Sequence, residues 1–128
     1  HEFKTVHSYK WYEFEFAATF IYASGKPYTA PAGAYTLTLL DGTQKTFINV
    51  TDKNANRLPD YHRLDLAVTY NIERIFKGTG SLGLSFFNVY NRSNVWYKNY
   101  VIANNTVIAT NVNYLGFTPN LNFSYRFK

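Results

Sequence analysis

The feature that most constrains this chain is its last segment, where apolar and polar residues alternate one by one almost to the end. From Leu115 the odd positions read Leu115, Phe117, Pro119, Leu121, Phe123, Tyr125 and Phe127. The even positions read Gly116, Thr118, Asn120, Asn122, Ser124 and Arg126. A period of two puts each set on its own side of a β-strand, so one side is apolar throughout and the other polar. The same pattern runs from Tyr12 through Phe14, Phe16, Ala18, Phe20 and Tyr22, and again through Leu64, Leu66, Val68, Tyr70 and Ile72. Each stretch is about ten residues, the length a tilted strand needs to cross a bilayer.

Composition narrows the class further. Aromatic residues make up 20 % of the 128 residues, with 12 Tyr, 11 Phe and 2 Trp, yet mean hydropathy is −0.29. No run approaches the length of a membrane helix. A chain both aromatic-rich and polar on average must confine its apolar groups to one face. Strands between lipid and an aqueous lumen do so, with aromatic girdles at the two interfaces. A soluble carbohydrate-binding β-sandwich has a similar bias and is the rival class.

Thirteen Lys and Arg against eight Asp and Glu give +5, scattered without the clustering of a nucleic-acid face. There is no cysteine, which excludes disulfides, thiolate metal sites and thiol catalysis. The first ten residues carry no apolar leader and the chain has no methionine, so an upstream part is expected to be missing.

The alternation and the turn signals predict four long strands, over about 9–23, 60–73, 80–103 and 106–127. Glu73 to Gly80, with Lys77-Gly78-Thr79-Gly80, reads as a short turn, and Asn104-Asn105 as a tight one. A loop with a small hairpin is expected over about 25–58, turning at Asp41-Gly42, a dipeptide suited to a type I′ turn. Long loops at one end and short turns at the other are typical of outer-membrane barrels. Four strands cannot close, since even small barrels need about eight. The fold expected is therefore all-β, the last four strands of a transmembrane antiparallel β-barrel. An even count is expected to place both chain ends on the short-turn side, and the terminal alternation leads us to expect a true C-terminus.

Three segments then invite comparison: Ser24-Gly25-Lys26-Pro27-Tyr28; Asn56-Arg57-Leu58-Pro59-Asp60-Tyr61-His62-Arg63-Leu64-Asp65-Leu66; and Phe87-Asn88-Val89-Tyr90-Asn91-Arg92. With the ending Phe117-Thr118-Pro119-Asn120-Leu121-Asn122-Phe123-Ser124-Tyr125-Arg126-Phe127, they resemble the C-terminal barrel region of TonB-dependent outer-membrane receptors, of the Bacteroidetes type. The resemblance covers nearly the whole chain in order. It implies a barrel of about 22 strands, plugged by an N-terminal domain and importing a scarce nutrient such as an iron chelate, cobalamin, a metal, a peptide or an oligosaccharide. Energy would come from the TonB complex through the absent N-terminal part. Other partners implied are the rest of the barrel and plug, outer-membrane lipid, the barrel-assembly machinery and, in some cases, a surface lipoprotein; nucleic acid is not among them. Tyr125 and Phe127 resemble the assembly signal, although Asn122 stands where glycine is common and Lys128 follows the last aromatic. The alternative reading is a plugless porin-type channel.

The residues carry little chemistry beyond binding. Arg63 and Asp65 share a strand face, and Glu13 and Glu15 are expected to face the lumen or plug likewise. Carboxylates adjacent on one face do not flank a scissile bond, so no catalytic site is expected. Asp52, Asn54 and Asn56 have the spacing of a calcium loop, but Arg57 and Arg63 stand where such a loop needs Gly and Glu, so no metal or cofactor is expected. His1, His7 and His62 have no metal spacing among themselves. Tyr28, Tyr35, Trp96, Tyr97 and Tyr100 in the expected external loops are candidates for stacking on a sugar or chelate.

Overall fold

The computed structural model describes every residue except Phe76, Lys77, Asn105 and Lys128, and the side chain of Ile75. Its described residues form strands and turns without a helix, so the chain is all-β. The strands are β1 (Glu2–Trp11), β2 (Phe14–Ala23), β3 (Pro27–Tyr28), β4 (Pro31–Thr38), β5 (Gln44–Val50) and β6 (Asn56–Arg57). They continue with β7 (Tyr61–Ile75), β8 (Gly78–Phe87), β9 (Val95–Ala103), β10 (Thr106–Asn113) and β11 (Thr118–Phe127). Two compact units result. One comprises His1–Ser24, Tyr61–Asn94 and Leu115–Lys128; the other comprises Gly25–Asp60 and Val95–Tyr114.

The first unit is a single antiparallel sheet in the order β1-β2-β7-β8-β11. Five strands form it, not four. The expected strand over 9–23 divides at Tyr12-Glu13, because Tyr12 takes φ 51° and reverses the chain into a two-residue hairpin. Residues 2–8 extend the new strand, and the chain consequently enters at the loop end of the sheet rather than the short-turn end. The expected strands over 80–103 and 106–127 also divide, at 88–94 and 114–117. Gly78 to Gly80 are strand rather than turn, while Lys77 lies outside the described residues. Short connections join β1 to β2 and β7 to β8 at one end, where Trp11 pairs Phe14 and Ile75 pairs Gly78. The long connections leave from the other end, where Ala23 pairs Tyr61 and Phe87 pairs Thr118.

The register carries the alternation across all five strands. Tyr9, Phe16, Val68, Leu84 and Leu121 form one row, and Trp11, Phe14, Tyr70, Leu82 and Phe123 the next, all on the same face. The opposite face carries Lys10, Glu15, Thr69, Gly83 and Asn122 in a row between them. Neither face is covered. Leu121 is 67 % exposed and Phe127 82 %, and among the described residues Leu58 is the one buried large apolar side chain. A soluble domain buries such a face against a second layer.

In the second unit β4 and β5 form the expected hairpin, with a different turn. The Gly42 N–H donates to the Leu39 carbonyl (2.9 Å) and the Leu39 N–H to the Thr43 carbonyl (2.8 Å). Only Gly42 has positive φ, so this is a three-residue loop ending in a left-handed glycine, not a two-residue type I′ turn. Asp41 fixes it by accepting from the Thr43 N–H and hydroxyl (2.9 and 2.6 Å). Strands β9 and β10 form a second hairpin, from Ala103 paired with Thr106. Its turn has Asn104 at φ 50°, and Asn105 lies outside the described residues.

Candidate functional site

Three places gather the chemistry. The first is the polar face of the sheet at the loop end. Arg63 pairs with Asp65 (2.9 Å), donates to the Tyr61 hydroxyl (2.9 Å) and lies 3.9 Å over the Phe87 ring. Asp65 also accepts from the Asn88 N–H (2.9 Å). Glu15 lies on the same face but pairs Thr69, six residues along from Arg63, which is roughly 20 Å of strand. It meets only Lys10, at 3.8 Å with both side chains largely exposed, a pair worth little. Glu13 is not a strand residue; it occupies the β1–β2 turn, where its carbonyl accepts from the Asn71 N–H. The four charges expected to share the lumen are thus one network and two separate carboxylates.

The connection after β8 supports that network through asparagine. Asn88 is fully buried at φ 53°, its amide donating to the Arg92 and Leu115 carbonyls (2.9 and 3.2 Å) and accepting from the Arg92 N–H (3.1 Å). Asn91, also at positive φ, accepts from the Phe117 N–H (2.8 Å). Asn94 accepts from the His62 N–H and donates to the His62 carbonyl (3.1 and 2.9 Å), so its amide acts as the next rung of the ladder. Asparagine suits this because its amide copies a peptide group and it tolerates left-handed backbone. Three such residues spaced by three were the available sign in the sequence. On the apolar face, the Tyr90 hydroxyl and His62 Nδ1 are 2.7 Å apart. Burial raises the Tyr90 phenol above its ordinary range.

A clasp closes the insertion in the second unit. The Gly25 N–H donates to Asp60 (3.0 Å), Arg57 to the Gly25 carbonyl (3.2 Å), and the Leu58 N–H to the Lys26 carbonyl (2.9 Å). A Cβ at Gly25 would collide with the Leu58 carbonyl, so only glycine fits there. Parts of two segments singled out in the sequence, 24–28 and 56–66, therefore meet here, with β3 paired to β6.

The third place is aromatic. Lys98 and Tyr100 share one face of β9, with Asn111 directly across from Lys98, while a bulge in the β9–β10 pairing at Trp96 breaks the alternation there. Tyr28 joins them: its phenol takes a hydrogen bond from Tyr100, and Lys98 Nζ lies 5.5 Å from its ring centroid. That bond, assisted by Lys98, holds the Tyr28 phenol below its ordinary range. Tyr100 is pushed up, by burial and then by Tyr28. Trp96 meets Tyr97 edge-on (5.1 Å) and Tyr114 (5.8 Å). Tyr35 is separate and stacks on Phe47 within the β4–β5 hairpin (5.8 Å). Lys98 and Tyr114 had no sequence signal of their own.

At the other end of the sheet Tyr125 and Phe127 meet edge to face (4.6 Å) on the apolar side. A side chain at Gly78 would meet the Arg126 carbonyl and then the Tyr125 ring, and one at Gly83 would meet the Asn122 amide. Asn122 thus has a partner in the neighbouring strand. Asp52 and Asn54 lie in an ordinary turn, with Asn54 at φ 60° and its N–H donating to Thr29 Oγ1 (3.0 Å), while Asn56 already belongs to β6. Among the described residues no group of three or more His, Asp or Glu gathers as a metal site.

The chain matches no protein-family profile, no curated protein and no solved structure.

Proposed function

We propose that this chain is wall from a TonB-dependent transporter of the bacterial outer membrane, taking part in energised uptake of a scarce nutrient. The observation that carries the reading is the uncovered apolar face of a one-layer sheet. Ten residues at about 3.3 Å each, tilted by about 45°, reach about 23 Å, close to the apolar band of such barrels. Rings gather at the short-turn end (Trp11, Phe14, Tyr70, Tyr125 and Phe127), as an interfacial girdle does. The unpaired edges of β1 and β11 call for further strands, because open backbone in lipid costs several kcal/mol per group. The four sequence segments quoted above supply the choice of family.

In this reading the apolar face meets lipid, and the Arg63–Asp65 network with Glu15 faces the lumen and plug. Tyr125 and Phe127 end the strand read by the assembly machinery. The chemistry is recognition and gated passage, with no bond cleaved.

Single cysteines along β2 and β7 of the intact protein, in native outer membranes, test the wall. Positions 16, 18, 66 and 68 are expected to react with a lipid-soluble probe, and 17, 19, 67 and 69 with a small aqueous maleimide. Loss of that alternation, or a soluble monomer without detergent, would overturn the reading. Uptake that persists after the proton gradient is collapsed would replace the importer with a passive channel.

A further inference from the structure

We propose that the outer edge of β5 is a self-association site, where a second copy of this chain adds its own β5 and joins the two hairpins into one four-stranded antiparallel sheet. The hairpin is incomplete as it stands. Strands β4 and β5 form a sheet of two, and among the described residues no strand pairs with either outer edge. Such ribbons are marginal in water unless a third strand or a packed layer joins them. Tyr35, Leu37 and Phe47 lie on one face together with Lys45, and Tyr35 and Phe47 are 50 % and 41 % exposed. The two edges differ. Strand β4 opens on Pro31, which has no N–H to offer, and bulges between Pro31 and Gly33; both features blunt an edge. Strand β5 has no proline, glycine or bulge, and it carries Thr46, Phe47, Ile48 and Val50, residues that suit a strand.

The strand's own symmetry selects the occupant. Phe47 is the middle residue of the seven in β5. An antiparallel copy centred there pairs every residue: Phe47 with its counterpart, Thr46 with Ile48, Lys45 with Asn49 and Gln44 with Val50 of the second copy. Each pair joins residues of one face, so the alternation carries across the junction. Centring on Lys45 instead would set two lysines opposite each other, which is unfavourable, and centring on Thr46 or Ile48 leaves residues at the strand ends unpaired. The full register also extends the Tyr35–Phe47 stack (5.8 Å) into a row of four rings, two from each copy. A two-fold contact of this kind closes after two copies, and the blunted β4 edges end the sheet on both sides.

Native mass spectrometry of the intact protein in mild detergent, from ~1 µM to ~100 µM, is expected to show a dimer that grows with concentration. Asn49→Lys sets a lysine against Lys45 of the second copy at both symmetric places and should weaken the dimer about fivefold. Asn49→Glu should tighten it by about as much. Lys45 and Asn49 are both exposed, so neither change should disturb the hairpin itself. In a cysteine-free background Phe47→Cys should oxidise to an intermolecular disulfide, because directly opposed Cα atoms lie ~5 Å apart. Asn49→Cys alone should not, since its two copies sit roughly 13 Å apart along the strands, whereas a mixture of the Asn49→Cys and Lys45→Cys proteins should. A monomer at every concentration, a dimer indifferent to charge at position 49, equal oxidation at 47 and 49, or a different protein seated on β5 in native membranes would each overturn the proposal. Only the second unit is involved, so this measurement and the labelling of β2 and β7 succeed or fail separately.

Discussion

Replacing Asn88 isolates what the asparagine connection contributes. Its side chain makes three hydrogen bonds, to the Arg92 N–H, the Arg92 carbonyl and the Leu115 carbonyl, all where Asn88 itself is inaccessible. At about 1 kcal/mol for each bond lost, and about 1 kcal/mol for holding alanine at φ 53°, Asn88→Ala should cost about 4 kcal/mol. Asn88→Gly keeps the backbone angle and should cost about 3 kcal/mol. Asn88→Asp is the sharper probe. It keeps an acceptor for the Arg92 N–H but turns a donor amide into a carboxylate aimed at two carbonyls, beside Asp65. Its carboxyl should titrate above the unfolded value, so the penalty is full at neutral pH and fades as pH falls through that raised pKa. Urea unfolding of the intact protein in bilayers, followed by tryptophan fluorescence, gives the ranking, with protease cleavage in 88–94 as the local measure. An Asn88→Ala variant within about 1 kcal/mol of the parent, or an Asn88→Asp variant insensitive to acid, would refute the assigned role.

Three further outcomes follow from the geometry. Val68 and Ala67 are neighbours on opposite faces of β7, so Val68→Arg should cost about 2–4 kcal/mol in bilayers and Ala67→Arg under about 1 kcal/mol; equal costs would argue against a lipid-facing side. Among glycines, Gly25→Ala should be worst, at several kcal/mol, because its Cβ meets backbone, while Gly42→Ala should lose about 1 kcal/mol through its φ of 82° and Gly33→Ala, in open space, should be neutral or slightly favourable. Unfolding and limited proteolysis check that order. The Thr43 hydroxyl and N–H hold the Asp41 carboxyl below its ordinary range. The folded pKa is depressed, so the support it gives the turn is present above the unfolded pKa and is lost as pH falls through the folded one. The Thr43 amide resonance should titrate with a midpoint under the usual aspartate value, and Asp41→Asn should abolish that titration.

Much of the sheet was legible because a two-residue period survives whatever covers the faces. The alternations of 14–22, 64–72 and 118–127 are the observed faces, in register with one another. The first strand was hidden by Thr5 and His7, polar residues on its otherwise aromatic side. The turn after it was hidden because tyrosine at positive φ has no sequence signature, unlike glycine or asparagine. The break at 88–94 is marked in the sequence, where alternation fails after Phe86 and Asn91-Arg92-Ser93 interrupts the run, whereas the one at 114–117 was passed over because the alternation reads straight through it. Arg63 and Asp65 were found by their spacing alone. The spacing of Asn88, Asn91 and Asn94 marks the connection, but not the partner of Asn94, since His62 lies 32 positions away and the contact depends on where β8 stops. The same holds for Lys98 against Tyr28, which only the folded insertion brings together.

The clasp of Gly25, Arg57, Leu58 and Asp60 has a consequence for how such a protein can change. Because it fixes both ends of the insertion, residues 29–55 can lengthen or be exchanged without disturbing the Ala23–Tyr61 pairing beyond it. Each doubling of a closed loop costs only about 0.6 kcal/mol, so the insertion can vary in length and sequence while the sheet keeps its register. Gly25 and Asp60 are the positions where that freedom ends.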